Sequence, residues 1–420
     1  MSSSKNPPAP LCVVHIFWSL TFGGIETMLV NIANAQVREG CRVKVMIINE
    51  LWEETLLRAF DERVELLLVH KRHGSGNPFF LPRLWRLLIG ARADVIHLHG
   101  SGLLAMLPPW LRKRCCCTLH DMPHGSLRPS SPLARLLPLL AIKDQSNVRL
   151  IHRLPAVFGI SQAVSDALLK DYGVASKVVC NGIDTGAFRT RGDRPAEHPL
   201  RIVMVSRLVH EKKGQDLLIE AVASLKGQAR VDFIGIGESL DYLQGLTRRL
   251  GAEAWVRFLG SHTQGQVREE LADYDLFVQP SRFEGFGLTV AEAMAAGVPV
   301  VVSSGQGPAE VTCDDQFGWT FPNGDAKALA SLITHLATHY DEALAKASEA
   351  RLHVRHTYDV SVTAHNYVLE YQLQLNMHNS MISNKLIGGG YFESIILLSL
   401  GEGNSTHPAV ACEWSERRCA

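Results

Sequence analysis

The chain has 420 residues, with 42 Lys and Arg set against 42 Asp and Glu. That length suits two domains better than one core. Its nine cysteines contain no Cys-x-x-Cys spacing, and no run of about 18 apolar residues occurs, which argues against a zinc site of that kind and against a spanning helix.

In chain order, Met1–Pro10 is Ser/Pro-rich without the apolar core of a signal peptide, and free cysteines fit a reducing cytoplasm. Leu11–Trp18 reads as a buried strand, Ser19–Gly24 as a loop, Ile25–Glu39 as a helix closed by Gly40, and Arg42–Ile48 as the next strand. Further strands are expected at Val64–Leu68, Val95–Leu98, Cys115–His120 and Ala156–Ile160, with a helix over Gln162–Tyr172. Cys115, Cys116 and Cys117 alternate between strand faces and so do not form a metal-ligand set. A polar connection, Asp184–Pro199, precedes a second series: strands at Ile202–Val205, Val231–Ile234, Val256–Leu259, Leu276–Gln279 and Val298–Val302, with helices Gln215–Leu225 and Leu240–Leu250 between. A helical pattern follows from Ala326 to Leu375. The tail Asn376–Ala420 stays open between a disordered segment, a membrane-proximal one and an altered terminus. Alternating strands and helices imply an α/β fold with two parallel sheets, each covered on both faces.

Charge is uneven along the chain. Phe79–Arg153 holds eleven Lys/Arg and three Asp/Glu, which is either a solvated basic face or a surface for an anionic partner such as a membrane. The stretches Phe79–Arg92 and Leu103–Arg114 mix Trp and Leu with Arg and Lys, as interfacial segments do and as ordinary core-facing helices also do.

Five motifs carry chemistry. Gly23-Gly24-Ile25-Glu26 follows the first strand, where glycines let backbone approach a phosphate or sugar. Leu119-His120-Asp121 ends a strand, which puts His120 on the ligand side of a parallel sheet. His97 and His99 share a strand face but lack a third ligand, so they read as cleft or core residues. Ser206-Arg207-Leu208-Val209-His210-Glu211-Lys212-Lys213-Gly214 offers cations beside a strand end, with Lys213 expected to face solvent. Gly235-Ile236-Gly237 is a Gly-x-Gly turn whose spacing fails the dinucleotide fingerprint. Glu284-Gly285-Phe286-Gly287-Leu288-Thr289 leads into a helix that carries Glu292, so free amides and a positive dipole end meet two carboxylates.

Taken together over about 11–375, these motifs resemble glycosyltransferase family 4, the retaining enzymes of the GT-B fold. The resemblance implies a domain at 1–185 on the acceptor side, a nucleotide-sugar domain at 186–356, a crossover helix at 357–375 packing back on the first domain, and a tail at 376–420. It implies catalytic roles for His120, Arg207, Lys212 and Glu284. His120 touches the transferred sugar, Arg207 and Lys212 grip the diphosphate, and Glu284 binds sugar hydroxyls. Gly23, Gly24, Gly235, Gly237, Gly285, Phe286, Gly287, Leu288, Thr289 and Glu292 bind the donor, with Glu292 on the ribose. Asp273-Tyr274-Asp275 satisfies an Asp-x-Asp metal pattern, but the expectation is no metal and no cofactor beyond the nucleotide-sugar donor. The expected partners are that donor, a glycan or lipid-linked acceptor and an anionic membrane surface, with no nucleic acid. The expected location is the cytoplasm, peripheral on the inner membrane face. A nucleotide-sugar epimerase and a catalytically silent homologue are the alternatives.

Overall fold

A computed structural model of the chain describes residues 9–21, 23–121 and 148–386. The Ser/Pro-rich start before Ala9, the part of the basic stretch at 122–147, and the tail beyond Leu386 lie outside the described residues. The chain divides into two units, Met1–Leu369 and Glu370–Ala420.

The first unit contains two sheets. The first sheet comprises β1 (Cys12–Phe17), β2 (Arg42–Asn49), β3 (Glu65–Lys71), β4 (Val95–Leu98), β5 (Cys115–Leu119), β6 (Ala156–Gly159) and β7 (Lys177–Val178), in spatial order β3-β2-β1-β4-β5-β6-β7. The second comprises β8 (Leu200–Val205), β9 (Ala229–Ile234), β10 (Val256–Gly260), β11 (Leu276–Gln279), β12 (Val300–Ser303) and β13 (Trp319–Phe321), in order β10-β9-β8-β11-β12-β13. Every pairing is parallel.

Central strands are apolar because helices cover both faces. All six residues of β1 are buried, as are Cys115, Cys116 and Cys117. Each sheet starts in its middle, at β1 and β8, and adds strands outward on both sides. Ligands in such sheets collect where the strand order reverses, past the carboxyl ends.

Helices begin where local chemistry provides for them. Ser161 accepts from the Val164 amide at the start of Gln162–Tyr172, and Gly173 closes that helix at φ 65°. Gly287, at φ 98°, precedes the helix Leu288–Ala295. A left-handed residue there is cheapest as glycine.

Two expectations change. The helical pattern Ala326–Leu375 also breaks at His339, giving Ala326–Thr338 and Tyr340–Thr357, and the separate last helix, expected at 357–375, runs Val360–Leu386. The break before that last helix follows from tertiary pairing, since Ile183 donates to the Tyr358 carbonyl and accepts from the Val360 amide. The edge strands β7 and β13 were not expected, being two and three residues long. The start of the last helix lies on the first sheet. Tyr367 Oη sits 3.0 Å from Thr118 Oγ1, and Val368 packs with Leu29, Ala33 and Val43.

Candidate active site

The carboxyl ends of the two sheets face each other. Gly24 abuts Leu288: a Cβ at Gly24 would stand 3.1 Å from Leu288 Cδ1. Asp121, past the end of β5, lies against Gly285. Ser161 Oγ donates to the Gly285 carbonyl at 2.6 Å. Glu310 reaches from the second sheet's helices to accept from the Gln162 and Ala163 amides, at 2.7 and 2.5 Å. Glu310 thus completes the N-terminal cap of a helix belonging to the other sheet.

The loop from β11 is the centre of the site. Lys213 Nζ pairs with Glu284 Oε2, and both side chains are largely buried. Ser281 Oγ and Gln279 Nε2 stand 3.4 and 3.5 Å from the same oxygen. Below the loop, the Gly307 amide donates to the Glu284 carbonyl and Gln306 Oε1 accepts from the Glu284 amide. A Cβ at Gly307 would meet the Gly285 carbonyl at 2.3 Å, so only glycine permits that packing. Among the described residues, the amides of Phe286, Gly287 and Leu288 donate to no backbone carbonyl. They are the orphan donors of a helix start, suited to phosphate oxygens. The Phe286 side chain is buried against Tyr358, so Phe286 faces the site through its backbone only. Thr289 Oγ1 lies 3.5 Å from Gln279 Oε1.

The cations divide differently from the sequence expectation. Lys213 does not face solvent but meets Glu284. Lys212 turns the other way and binds both carboxylate oxygens of Asp121, at 2.9 and 2.7 Å. Arg207 is exposed past β8, and its carbonyl accepts from Gln215 Nε2. Gly235, at φ 142°, and Gly237 pack against this segment: Cβ atoms there would stand 2.0 Å from the Ser206 carbonyl and 2.3 Å from the Leu208 carbonyl. Their close approach to backbone is therefore the structural reason for glycine at both positions.

Glu292 lies in an adjoining recess with Gly24, Asn31, Asp184, Arg268 and Leu288. Arg268 was missed, because its helix, Gln264–Glu270, reaches the recess only through the fold. Burial raises the Glu292 carboxyl from 4.5 to about 7, with the Arg268 charge opposing. The folded chain then binds this proton more tightly than the unfolded chain. The group's contribution to stability is greatest below its unfolded value and falls as pH rises through about 7. Glu292→Gln, which cannot ionise, should therefore gain on the parent in thermal unfolding between about pH 5 and about pH 8. An equal difference at both values contradicts the assignment.

The Asp-x-Asp pattern is occupied by arginines. Arg189 pairs with Asp273 at 2.5 Å, and buried Arg191 with buried Asp275 at 3.0 Å. His97 and His99 do gain a third neighbour: His15 from β1, with one ligand atom of each within 4.8 Å of the others. His120, half-buried, shares a 2.9 Å hydrogen bond with His99. The parallel register that places His15 opposite His97 is not readable from local sequence.

Two parallel sheets opposed through their carboxyl ends, with the orphan amides of a helix start and cations between them, have the architecture of the GT-B class of glycosyltransferase. Comparison with known families agrees. Residues 22–187 match the model of Glycosyltransferase Family 4, and 189–352 match that of Glycosyl transferases group 1. The chain belongs to this glycosyltransferase family. The putative colanic acid biosynthesis glycosyltransferase WcaL of Escherichia coli is 34% identical over 191 residues, which is 43% of this chain and 47% of that protein. The lipopolysaccharide core biosynthesis glycosyltransferase LpsE of Rhizobium meliloti is 36% identical over 179 residues, covering 42% and 51%. The matched stretch thus spans about half the length of these curated relatives. The crystal structure of Anabaena Alr3699/HepE in complex with UDP and glucose superposes with a TM-score of 0.68 at 25% identity, over 86% of this chain and 99% of that one.

Proposed function

We propose that this chain is a retaining hexosyltransferase. It moves a sugar from a nucleoside-diphosphate donor to a hydroxyl of a glycan or lipid-linked acceptor, in lipopolysaccharide or cell-surface polysaccharide assembly. The observation that carries this reading is the Lys213–Glu284 pair beside the free amides of Phe286, Gly287 and Leu288. In this reading a diphosphate seated on those amides meets Lys213 and Arg207, Glu284 binds sugar hydroxyls and Glu292 binds the ribose. The solved relative named with UDP and glucose, and the relatives named for polysaccharide and lipopolysaccharide synthesis, support the substrate class.

As the anomeric bond breaks, charge accumulates on the leaving diphosphate. Cations and amides aimed there stabilise the transition state more than the ground state. The acceptor hydroxyl attacks on the face the diphosphate leaves, and the departing phosphate takes its proton, which retains configuration. The contacts of Ser161, Glu310 and Lys212 between the two sheets hold the halves together and exclude water from the donor. Arg189 and Arg191 already neutralise Asp273 and Asp275, so the reading includes no catalytic metal. A thermal-shift screen of nucleoside diphosphates and their sugars tests the donor class. At least one diphosphate should raise the unfolding midpoint, with a smaller rise for Arg207→Ala; no shift with any of them contradicts the reading.

The reading extends to an anionic membrane surface. The helix Leu81–Ala91 buries Leu81, Leu84 and Leu88 against the core, as ordinary helices do. Phe79, Ile89 and Trp110 nevertheless remain 84%, 57% and 63% exposed, Arg83, Arg86, Arg92, Lys113 and Arg114 are exposed too, and Ile89 and Trp110 line one recess with Arg92 and Arg114. These four residues form a patch just before β4 and β5, at the opposite strand ends from the cleft, while Phe79 stands at the other end of the helix, after β3. Among the described residues, no helix is long and apolar enough to cross a membrane. The chain should pellet with anionic vesicles at low salt and be released by salt, and Trp110→Ala should weaken binding. Recovery of the parent in the supernatant contradicts this part.

A further inference from the structure

A line of hydrogen bonds runs from the helix Gly24–Arg38 to His120 through residues that donor binding does not use. His15 on β1 and His97 on β4 are register partners, and His99 follows two residues on, on the same face. Buried Gln36 lies beside this face, with Oε1 2.8 Å from His15 Nε2. His15 Nδ1 is 2.9 Å from His99 Nε2, and His99 Nδ1 is 2.9 Å from His120 Nε2. The last atom of the line, His120 Nδ1, is buried and has no partner among the described residues. The neighbouring residue, Asp121, lies against Gly285 and Lys212.

A neutral imidazole carries one donor and one acceptor nitrogen, so a bond at one fixes the role of the other. Burial lowers His15 and His120 to about 4 and His99 well below its ordinary value, which keeps all three neutral near neutral pH. A carbonyl oxygen only accepts. His15 Nε2 therefore donates to Gln36, His99 Nε2 donates to His15, and His120 Nε2 donates to His99. His120 Nδ1 is left as a bare acceptor. An amide turned over at Gln36 would reverse every bond in the line and make that nitrogen a donor.

We propose that Gln36, acting through His15 and His99, sets the tautomer of His120 so that Nδ1 accepts a hydrogen bond from a hydroxyl of the bound sugar. Gln36, His15 and His99 are then positioning residues, and the sugar's identity as ligand rests on the donor reading above. A metal on His15, His97 and His99 is the competing use of the same rings. Against it, His15 Nδ1 and His99 Nε2 already bond each other, and His97 Nε2 stands 2.7 Å from Thr118 Oγ1. The His97 and His99 rings also stack at 4.3 Å, and the cluster includes no carboxylate to balance a buried cation.

The test is nitrogen NMR of the full chain labelled at histidine, with the His120 signals assigned by their loss in His120→Gln. The parent should show His120 protonated on Nε2 and bare on Nδ1. Gln36→Leu should mix the two tautomers and lower kcat/KM about tenfold, the effect of one well-placed hydrogen bond. Gln36→Glu, which still accepts, should restore the parental tautomer and most of the rate. A parental His120 protonated on Nδ1, a tautomer unmoved by Gln36→Leu, or stoichiometric zinc binding lost in His15→Asn would overturn the proposal. The tautomer is read without turnover. Absence of transfer activity would therefore sink the donor reading and leave the relay to be decided on its own signal.

Discussion

Arg207→Ala should lower kcat about a thousandfold, the upper effect of removing one preorganised donor from a developing negative charge. Arg207 is exposed at the end of β8. Unfolding should therefore stay within about 0.5 kcal/mol of the parent, as at other surface positions. Because the guanidinium acts on charge that forms as the bond breaks, the loss should fall mainly on kcat rather than on the KM for the donor. Near-parental turnover in a folded variant removes Arg207 from the chemistry.

The second large effect separates two adjacent lysines. Lys213→Ala should cost about a hundredfold to a thousandfold in kcat, because it removes the cation beside Glu284. It also leaves that carboxylate largely buried without its partner, which should destabilise the fold by about 1–3 kcal/mol. The double variant Lys213→Ala with Glu284→Gln should recover stability and not activity. Lys212→Ala breaks a partly exposed pair with Asp121, worth about 1 kcal/mol or less, and should reduce turnover by less than about tenfold through weaker closure. Equal kinetic losses at the two positions would contradict this division of roles.

Much of the architecture is legible in the sequence because burial on both faces writes short, mostly apolar runs into β1, β4 and β11, each followed by a loop that contains glycine. Gly24, His120, Arg207 and Glu284 are recognisable for the same reason: each follows a strand end. The roles of Lys212 and Lys213 are not legible. They sit side by side in a one-turn helix, His210–Lys213, where successive side chains diverge by about 100° and tertiary packing decides which points inward. Gly214 lies against the Pro280 carbonyl, and the Arg282 and Phe283 amides donate to the Lys212 carbonyl. Glu310, Ser161 and Arg268 join the site from distant positions, and no local pattern announces them. The line from Gln36 to His120 depends on strand order β1-β4-β5, which brings together residues that are 84 and 21 positions apart.

The measurement that bears most directly on the central claim is release of nucleoside diphosphate from a nucleotide-sugar, with and without a glycan or lipid-linked acceptor. The account predicts release that depends on acceptor, a product with the donor's anomeric configuration, and loss of both in Arg207→Ala. Conversion of the sugar without acceptor, or no consumption of any nucleotide-sugar by the intact protein, would contradict it.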